Sequence, residues 1–353
     1  MIKIGAIQKI FVIILSAAFL FLTLINPTAS KNGITNGLLL CGNVIIPSLF
    51  PFTVFSQLAY NTLCEVNSKR TDFAFLKVFR LNFSGFLILL MSLIGGYPVG
   101  AKLISKAYDN GKISRHNAEV LLPICVNAGP SFVIIAIGSA MLNSVLLGVI
   151  LFVADLLACL ELYLMFRNRL TLENITNKEH TDSNFAEIFV ESVADSAAAV
   201  LNICAFTAVF SCIINVMQSV IKSETLVSVI TYPLEISNTV LINRNIYLLA
   251  FIIGFGGICV IFQIISISKG FFEKIGKLFL IRIIHGLLAV INTAVIIKIF
   301  KITVPTISNI GSSILSLNTN NTKISIILII LALLLLISVS YKKYSGILKK
   351  DML

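Results

Sequence analysis

Arg282 and His285 have the clearest capacity for binding chemistry, because both lie inside an apolar segment. They are one helical turn apart, so their side chains leave the same face of the helix. An arginine can contact a carboxylate through two parallel hydrogen bonds. His285 could instead be a packing residue whose ring nitrogens are satisfied by neighbouring helices. Asp155 and Glu161, in another apolar segment, could be the partners of these cations.

A further cation follows a break in residues 93–103, which read Leu-Ile-Gly-Gly-Tyr-Pro-Val-Gly-Ala-Lys-Leu. Backbone groups at bilayer depth cannot face lipid, so an interrupted helix must be buried in protein or line a water-filled cavity. The break therefore predicts a binding site. Its residues are Gly96, Tyr97, Pro98, Gly100 and Lys102. Alternatively, Lys102 could extend its ammonium group to the membrane surface.

A second break occurs at Asn127-Ala128-Gly129-Pro130-Ser131. Pro130 removes a backbone donor and disfavours helix at Gly129. The freed carbonyl groups and the Asn127 amide could coordinate a ligand or an ion, and a new half-helix would start at Ser131. The alternative is a plain proline kink whose polar groups are satisfied by neighbouring helices.

The second half of the chain contains two comparable breaks. The first is Tyr232-Pro233-Leu234-Glu235, followed by Asn238. Glu235 could bind a proton, a sodium ion or a hydroxyl or amine group of a substrate, or it could lie in a surface loop. The other break, Gly254-Phe255-Gly256-Gly257, is followed by Gln263. Its glycines could equally serve the close packing of helices.

Composition places these residues in a membrane protein. The chain is 57% hydrophobic and 12% charged, whereas soluble domains have about 25% charged residues. Its mean hydropathy is +0.98. The net charge of +11 does not indicate nucleic-acid binding, because the basic residues form short clusters between apolar segments. The seven cysteines form no Cys-x-x-Cys pair, so neither a disulfide framework nor a metal site is predicted.

Catalytic signatures are also missing from the sequence. It contains no His-Glu-x-x-His, no Gly-x-Ser-x-Gly, no P-loop and no dinucleotide-binding fingerprint. His116 and His180 lie in loops, and no Ser, His and Asp residues are spaced for nucleophilic catalysis. The sequence therefore predicts neither an enzyme nor a bound cofactor.

Eight apolar segments are near the length of about 20 residues that a membrane crossing needs. They are Ile10–Ile25, Gly37–Ala59, Ala118–Leu142, Val145–Phe166, Val193–Val216, Tyr247–Ile267, Leu278–Phe300 and Ile324–Val339. Two weaker segments, Phe83–Ala107 and Leu226–Ile242, contain breaks and are predicted to be re-entrant hairpins. Lys3 and Lys9 precede the first segment as in a signal peptide, but no clean cleavage site follows, which favours a retained helix.

Positive charges predict the orientation of these segments. With the N-terminus in the cytoplasm and both hairpins re-entrant, nearly all basic clusters fall on the cytoplasmic side. These clusters lie at 69–80, 102–115, 167–169, 269–277 and 342–350. The loop 303–322 then lies outside. Treating either hairpin as a full crossing breaks this pattern.

The two halves of the chain align in order as an internal repeat. Residues 51–56 resemble 206–211, Tyr97-Pro98 resembles Tyr232-Pro233, and 156–158 match 287–289. Each half reads as span, hairpin, broken span and span, and the predicted orientation inserts the two halves upside down relative to each other. The predicted fold is an all-α polytopic membrane protein with two inverted repeats, re-entrant hairpins, broken helices and about eight spans.

The predicted division of the chain follows this repeat. An N-terminal membrane helix precedes the first repeat, a cytoplasmic linker joins it to the second repeat, and an outer loop, a membrane helix and a basic tail complete the chain. The five parts are residues 1–33, 34–166, 167–190, 191–300 and 301–353.

Taken in order, the motifs resemble those of the YlbJ-type sporulation integral membrane proteins. They are Gly96-Tyr97-Pro98-Val99-Gly100-Ala101-Lys102, Asn127-Ala128-Gly129-Pro130, Leu234-Glu235-Ile236-Ser237-Asn238, Gly254-Phe255-Gly256-Gly257 with Gln263, and Arg282-Ile283-Ile284-His285-Gly286. The resemblance covers most of residues 35–300. It implies a nucleoside-recognition (Gate) domain, as in nucleoside and ferrous-iron transporters. The family often has a histidine before the position of Asp155, where this chain has Ala154.

The resemblance further implies a role in spore formation. The leading proposal for this role is the export of dipicolinic acid from the mother cell toward the forespore. The resemblance then implies that the protein lies in the outer forespore membrane. Dipicolinate is a planar dianion near neutral pH. Half-helices that begin at Val99 and Ser131 would present free N–H groups and a positive dipole end to such an anion. Lys102 and Arg282 would supply the remaining charge.

Other functions stay open at this point. A permease for a nucleoside or another polar solute would use Glu235, Asn127 and Gln263 as hydrogen-bonding groups. A non-transporting membrane scaffold of spore assembly is the second class, and an intramembrane enzyme is a weaker third. The predicted partners are a small anionic solute and membrane lipid, not nucleic acid, and a second copy of the chain could be among them.

Overall fold

The structure is a computed structural model that describes residues 6–65, 75–77, 79–171, 184–237, 240, 245–268, 271–272 and 275–302. Within these ranges every regular element is helical. Five helical segments there are long and apolar enough to cross a membrane: Pro27–Leu63, Val145–Arg169, Phe185–Val220, Ile246–Ile267 and Ile275–Ile299. The protein is therefore an all-α polytopic integral membrane protein. The predicted span Ile324–Val339 lies outside the described residues, so the number of about eight spans stays a prediction.

In the described part of the first half, seven α-helices and two stretches of π-helix are defined. They are α1 (Ala6–Ile25), α2 (Pro27–Leu40), a π turn (Cys41–Ile45), α3 (Ile46–Glu65), α4 (Phe83–Gly95), α5 (Tyr97–Asp109), α6 (Arg115–Leu121), a π-helix (Ser131–Met141) and α7 (Val145–Phe166). Polar residues start several of these helices by accepting a hydrogen bond from a backbone N–H in the first turn. These caps are Asn82, Ser114 and Ser144.

The described part of the second half contains five α-helices. Its elements are α8 (Phe185–Val220), α9 (Glu224–Thr231), α10 (Ile246–Phe255), α11 (Gly257–Ile267) and α12 (Ile275–Ile299). Asn184, Ser223 and Asn245 cap α8, α9 and α10 through their side-chain oxygens. The short helix α9 is followed by a turn at residues 232–234, where the sequence predicted the hairpin to break.

Glycines with positive φ form two of the breaks. Gly96 separates α4 from α5 with φ 86°, and Gly256 and Gly257 separate α10 from α11 with φ 89° and 73°. Residues with a Cβ rarely adopt these φ angles, so the glycines at these positions determine where the helices are interrupted. Gly96 also lies against the break near Gly129, which is the third break, since a Cβ at Gly96 would be 3.1 Å from the backbone nitrogen of Gly129.

The third break is wider than the predicted break at residues 127–131. Helix α6 ends at Leu121, and residues 122–129 are not helical. The predicted segment Ala118–Leu142 is thus two separate helical pieces joined by eight irregular residues. Pro123 explains the extra length, because a second proline upstream of Pro130 also lacks a backbone donor.

Close helix contacts depend on small residues. Helix α8 packs along α2 and α3, while α12 packs along α7 and α10. A Cβ at Gly33 would lie 2.7 Å from Cα of Cys212, and one at Gly37 would lie 2.8 Å from Cα of Ala208. Glycine at these positions allows the backbones of α2 and α8 to approach, as is common between membrane helices.

Several basic loops meet at one end of the helix bundle, which we call the basic end. Asn82 Nδ2 donates to the carbonyl of Lys112 over 3.0 Å, and His116 Nε2 donates to the carbonyl of Arg169 over 2.8 Å. The loops near residues 80, 112 and 167–171 therefore lie together. The ring of Phe271 packs on Tyr108 with centroids 5.4 Å apart, which brings the turn before α12 to the same end. These are the loops that the charge pattern predicts to be cytoplasmic.

Candidate functional site

A cavity lies where the breaks of the two halves meet. Its cavity volume is about 30 Å³, and the wider space that also counts gaps between atoms and the open mouth is about 460 Å³. Apolar side chains from the π turn, α3 and α8 form one wall, and the breaks form the other. The lining residues are Ile45, Leu49, Gly96, Tyr97, Gly129, Phe132, Ile203, Thr207, Glu235, Ile236, Ser237, Cys259, Val260 and Gln263. A mostly apolar pocket with a few convergent polar groups is typical of small-molecule sites.

Five of the predicted site residues line this cavity. They are Gly96, Tyr97, Gly129, Glu235 and Gln263. Thr207 and Ser237 line it as well and were not predicted as site residues. Ser237 follows Glu235 closely and could have been found from that spacing, whereas Thr207 lies in an uninterrupted helix and gave no signal. Asn238 lies outside the described residues.

Arg282 lies beside the cavity and joins two of the breaks. Its Nε donates to the carbonyl of Phe255 over 3.0 Å, and its terminal nitrogens donate to the carbonyls of Val126 and Gly254. The last carbonyls of a helix have no partner within that helix and attract a cation. Arg282, which is fully buried, satisfies them at the end of α10 and also holds the irregular segment that contains Val126.

Tyr97 adds a further bond to the same helix end. Its hydroxyl donates to the carbonyl of Ile253 over 2.6 Å, across 156 residues of sequence. The carbon of the Arg282 guanidinium group lies 6.0 Å from the centre of the Tyr97 ring. The first residue of α5 is therefore tied to the last turn of α10, and the ring faces the cavity from that position.

His285 and Asp155 complete a buried network with Arg282. An arginine can only donate, so His285 Nδ1, 2.8 Å from Arg282 Nη1, must accept and Nε2 must carry the proton. Nε2 lies 3.3 Å from the backbone oxygen of Asp155 and 3.2 Å from its Oδ1. Asp155 Oδ2 accepts from the backbone N–H of Ala128 over 3.3 Å. The buried charges of Arg282 and Asp155 thus balance through a neutral histidine, as buried ions require.

Lys102 is not part of this network, although the sequence suggested that it could bind an anion together with Arg282. Its ammonium group lies 3.1 Å from Oδ1 of Asp195 on α8. The start of α5 faces the cavity, whereas position 102 faces the first turns of α8. The two cations are therefore engaged by different partners, and neither side chain lines the cavity.

Gly100 serves close packing. A Cβ there would overlap the carbonyl of Cys125, so α5 can lie against the irregular segment only with glycine at this position. Asn127 Nδ2 donates to the carbonyl of Ile124 over 2.8 Å. In the described part of the chain, Asn127 Oδ1 and Ser131 Oγ have no hydrogen-bond partner. Both flank Gly129, so they leave unused polar capacity next to the cavity wall.

Backbone carbonyls of the protein also accept hydrogen bonds from the N–H groups at the break formed by Gly256 and Gly257. The N–H groups of Ile258 and Cys259, at the start of α11, donate to the carbonyls of Pro233 and Leu234 over 2.8 and 2.9 Å. The sequence suggested that the polar groups of this break would be open to a ligand. The structure instead uses them to hold the second hairpin, which places Glu235 in the cavity wall.

The fold and the cavity define a class: a polytopic α-helical membrane protein whose helices break around an internal pocket. The sequence is similar to the sporulation integral membrane protein YlbJ of Bacillus subtilis (strain 168). The two are 24% identical over 339 residues, and the match covers 81% of this chain and 82% of that protein. No family model matches the chain, and no solved structure matches it.

Proposed function

We propose that the protein is a transporter that acts in spore formation and carries dipicolinate through the cavity between the broken helices. The observation that carries the proposal is the cavity itself, which lies at the meeting point of glycine breaks from both halves of the chain. Irregular backbone at membrane depth is characteristic of transporter binding sites. Similarity to a sporulation integral membrane protein supports the role in spore formation.

The order of the helices supports an inverted-repeat architecture for this transporter. Each half contains two long helices on either side of helix breaks. Repeats of opposite orientation would place the cavity near the middle of the bilayer, and rocking of one against the other would open it to each side in turn. By resemblance, the protein belongs in the outer forespore membrane, with transport directed from the mother cell toward the forespore.

The cavity chemistry favours one alternative substrate class. Its polar lining consists of Glu235, Gln263, Thr207 and Ser237, and no Lys or Arg side chain is among the described lining residues. These groups suit the hydroxyl and amide groups of a neutral polar solute such as a nucleoside. A dianion would bind beside the carboxylate of Glu235 and would need a compensating proton or cation.

Calorimetric titration of the detergent-purified protein with dipicolinate and with uridine would test the proposal. We expect dipicolinate to bind and uridine not to bind. Binding of uridine alone would replace the proposed substrate with the alternative class, and binding of neither would contradict the assignment of the cavity to either solute.

Glu235→Gln should strengthen dipicolinate binding roughly tenfold, which corresponds to 1.4 kcal/mol. The substitution removes a negative charge next to the bound dianion but keeps the size and hydrogen-bonding shape of the side chain. The same calorimetric titration measures this change. Glu161→Gln is the matched control, because Glu161 accepts from Asn292 outside the cavity, and we expect no change there. Weaker dipicolinate binding in Glu235→Gln would contradict a dianion bound beside this carboxylate.

A further inference from the structure

Buried polar side chains continue from the cavity along the contact between α3 and α8. We call this set the polar row. It consists of Thr53, Ser56 and Gln57 on α3 and Ser192, Ser196 and Thr207 on α8. All six side chains are buried. Thr207 is itself a lining residue of the cavity, so the row begins there.

Helical spacing places each half of the row on one face. Ser192, Ser196 and Thr207 are separated by four and eleven residues, which are close to whole numbers of turns. On α3, Thr53 and Gln57 are also four residues apart. The two helices pack against each other, and Asn61 Nδ2 lies 3.3 Å from Ser192 Oγ at the far end. The helices therefore run in opposite directions with their polar faces together.

Three members of the row lack partners. Ser56 Oγ, Gln57 Nε2 and Ser196 Oγ are buried and make no hydrogen bond to any described residue. Lipid cannot supply the missing bonds, so such groups are costly within a membrane protein. Small serines could serve close helix packing, but that explanation does not apply to the long amide of Gln57. Polar groups in this position are expected where water or a polar solute passes.

Two ion pairs join α5 to α8 beside the row, near its end at Ser192. Lys102 of α5 pairs with Asp195 of α8 over 3.1 Å, and Lys106 pairs with Glu191 over 2.8 Å. The side chains of Lys102 and Asp195 are 33% and 25% exposed. Partly exposed ion pairs are weak and can break at small cost. They therefore suit a closure that must open repeatedly.

We propose that the polar row is the closed path between the cavity and the basic end of the bundle, and that the Lys102–Asp195 pair is its gate. This inference rests on the proposed transport function. Separation of α5 from α8 breaks the ion pair and admits water to Ser196, Ser56 and Gln57, which then gain the hydrogen bonds they lack. The row offers hydroxyl and amide groups without charge, so it suits a small, hydrogen-bonding solute.

Cysteine labelling tests the path without any need for transport. Ser196→Cys would be introduced and treated in vesicles with a membrane-impermeant, cationic methanethiosulfonate, and the labelling of the parent protein would be subtracted. We expect Ser196→Cys to react many times faster than two controls. Ala154→Cys is equally buried but lies on α7, and Leu201→Cys lies on the exposed apolar face of α8. Equal rates at all three positions would overturn the path.

Gate variants test the ion pair in the same assay. Lys102→Met and Asp195→Asn should each raise the labelling rate of Ser196→Cys about two- to fivefold, the range expected for an exposed ion pair. The exchange of both charges, Lys102→Asp with Asp195→Lys, should restore the slow rate. Unchanged rates in the single variants would overturn the gate. If Ser196→Cys shows the expected labelling but the protein takes up no dipicolinate, the path is supported and dipicolinate is rejected as the solute. The two proposals can therefore fail separately.

Discussion

The Arg282→Met protein should unfold at a markedly lower temperature than the parent protein and should no longer transport dipicolinate. The substitution leaves the carbonyls of Val126, Gly254 and Phe255 without their donor and leaves Asp155 without its balancing charge. Loss of one partner from a buried charge network costs about 3–5 kcal/mol. The sequence contains no tryptophan, so loss of far-ultraviolet circular dichroism on heating in detergent is the suitable measurement.

Two further variants distinguish the loss of the Arg282 hydrogen bonds from the mere loss of a positive charge. Arg282→Lys should also be destabilised, because an ammonium group cannot reproduce the planar set of donors that reaches both breaks. Arg169→Met removes an exposed cation at the basic end together with its contact over the Phe166 ring, and should change stability by no more than about 1 kcal/mol. If Arg282→Met were as stable as Arg169→Met, the network of Arg282 would not hold the breaks together.

The double variant Gly256→Ala with Gly257→Ala should lose solute binding and about 2–4 kcal/mol of stability. Each alanine would occupy the left-handed region at a cost of roughly 1–2 kcal/mol. A Cβ at Gly256 would also lie 3.5 Å from Arg282 Nη2, and one at Gly257 would lie 3.3 Å from the carbonyl of Leu234. Relief of the strain would shift Arg282 and the hairpin that carries Glu235. Thermal unfolding and calorimetric titration measure the two effects.

Gly276→Ala is the matched control for this pair. Gly276 lies within α12, and a Cβ there would meet nothing within 4 Å. Alanine should therefore stabilise the helix by roughly 0.5–1 kcal/mol and leave binding unchanged. Similar binding losses in Gly276→Ala and in the double variant would show that glycine replacement damages the protein wherever it is made.

The breaks were predictable from the sequence because their causes are local. Glycines at 96, 256 and 257 and the proline at 130 interrupt helices through their own backbone properties. The facing directions of Arg282 and His285 also follow from local spacing. Pro123 could have been read in the same way and would have given the full length of the irregular segment.

The partners of the charged residues were not predictable, because they come from distant parts of the chain. Arg282 reaches Val126 across 156 residues, and Lys102 finds Asp195 on a helix that shows no break. Whether a cation faces a ligand or a carbonyl depends on how the two halves pack. Local sequence patterns do not predict this packing. The position of Thr207 in the cavity wall follows from the same packing.

Uptake of radiolabelled dipicolinate into vesicles that contain the purified protein tests most directly that the cavity is the transport site. Thr207 lines the cavity, whereas Leu201, on the same helix, is 65% exposed on the outer face. Thr207→Phe fills the cavity and Leu201→Phe does not. We predict uptake by the parent protein and by Leu201→Phe, and uptake by Thr207→Phe no greater than in protein-free vesicles. Uptake by Thr207→Phe at the parent rate would contradict passage through the cavity.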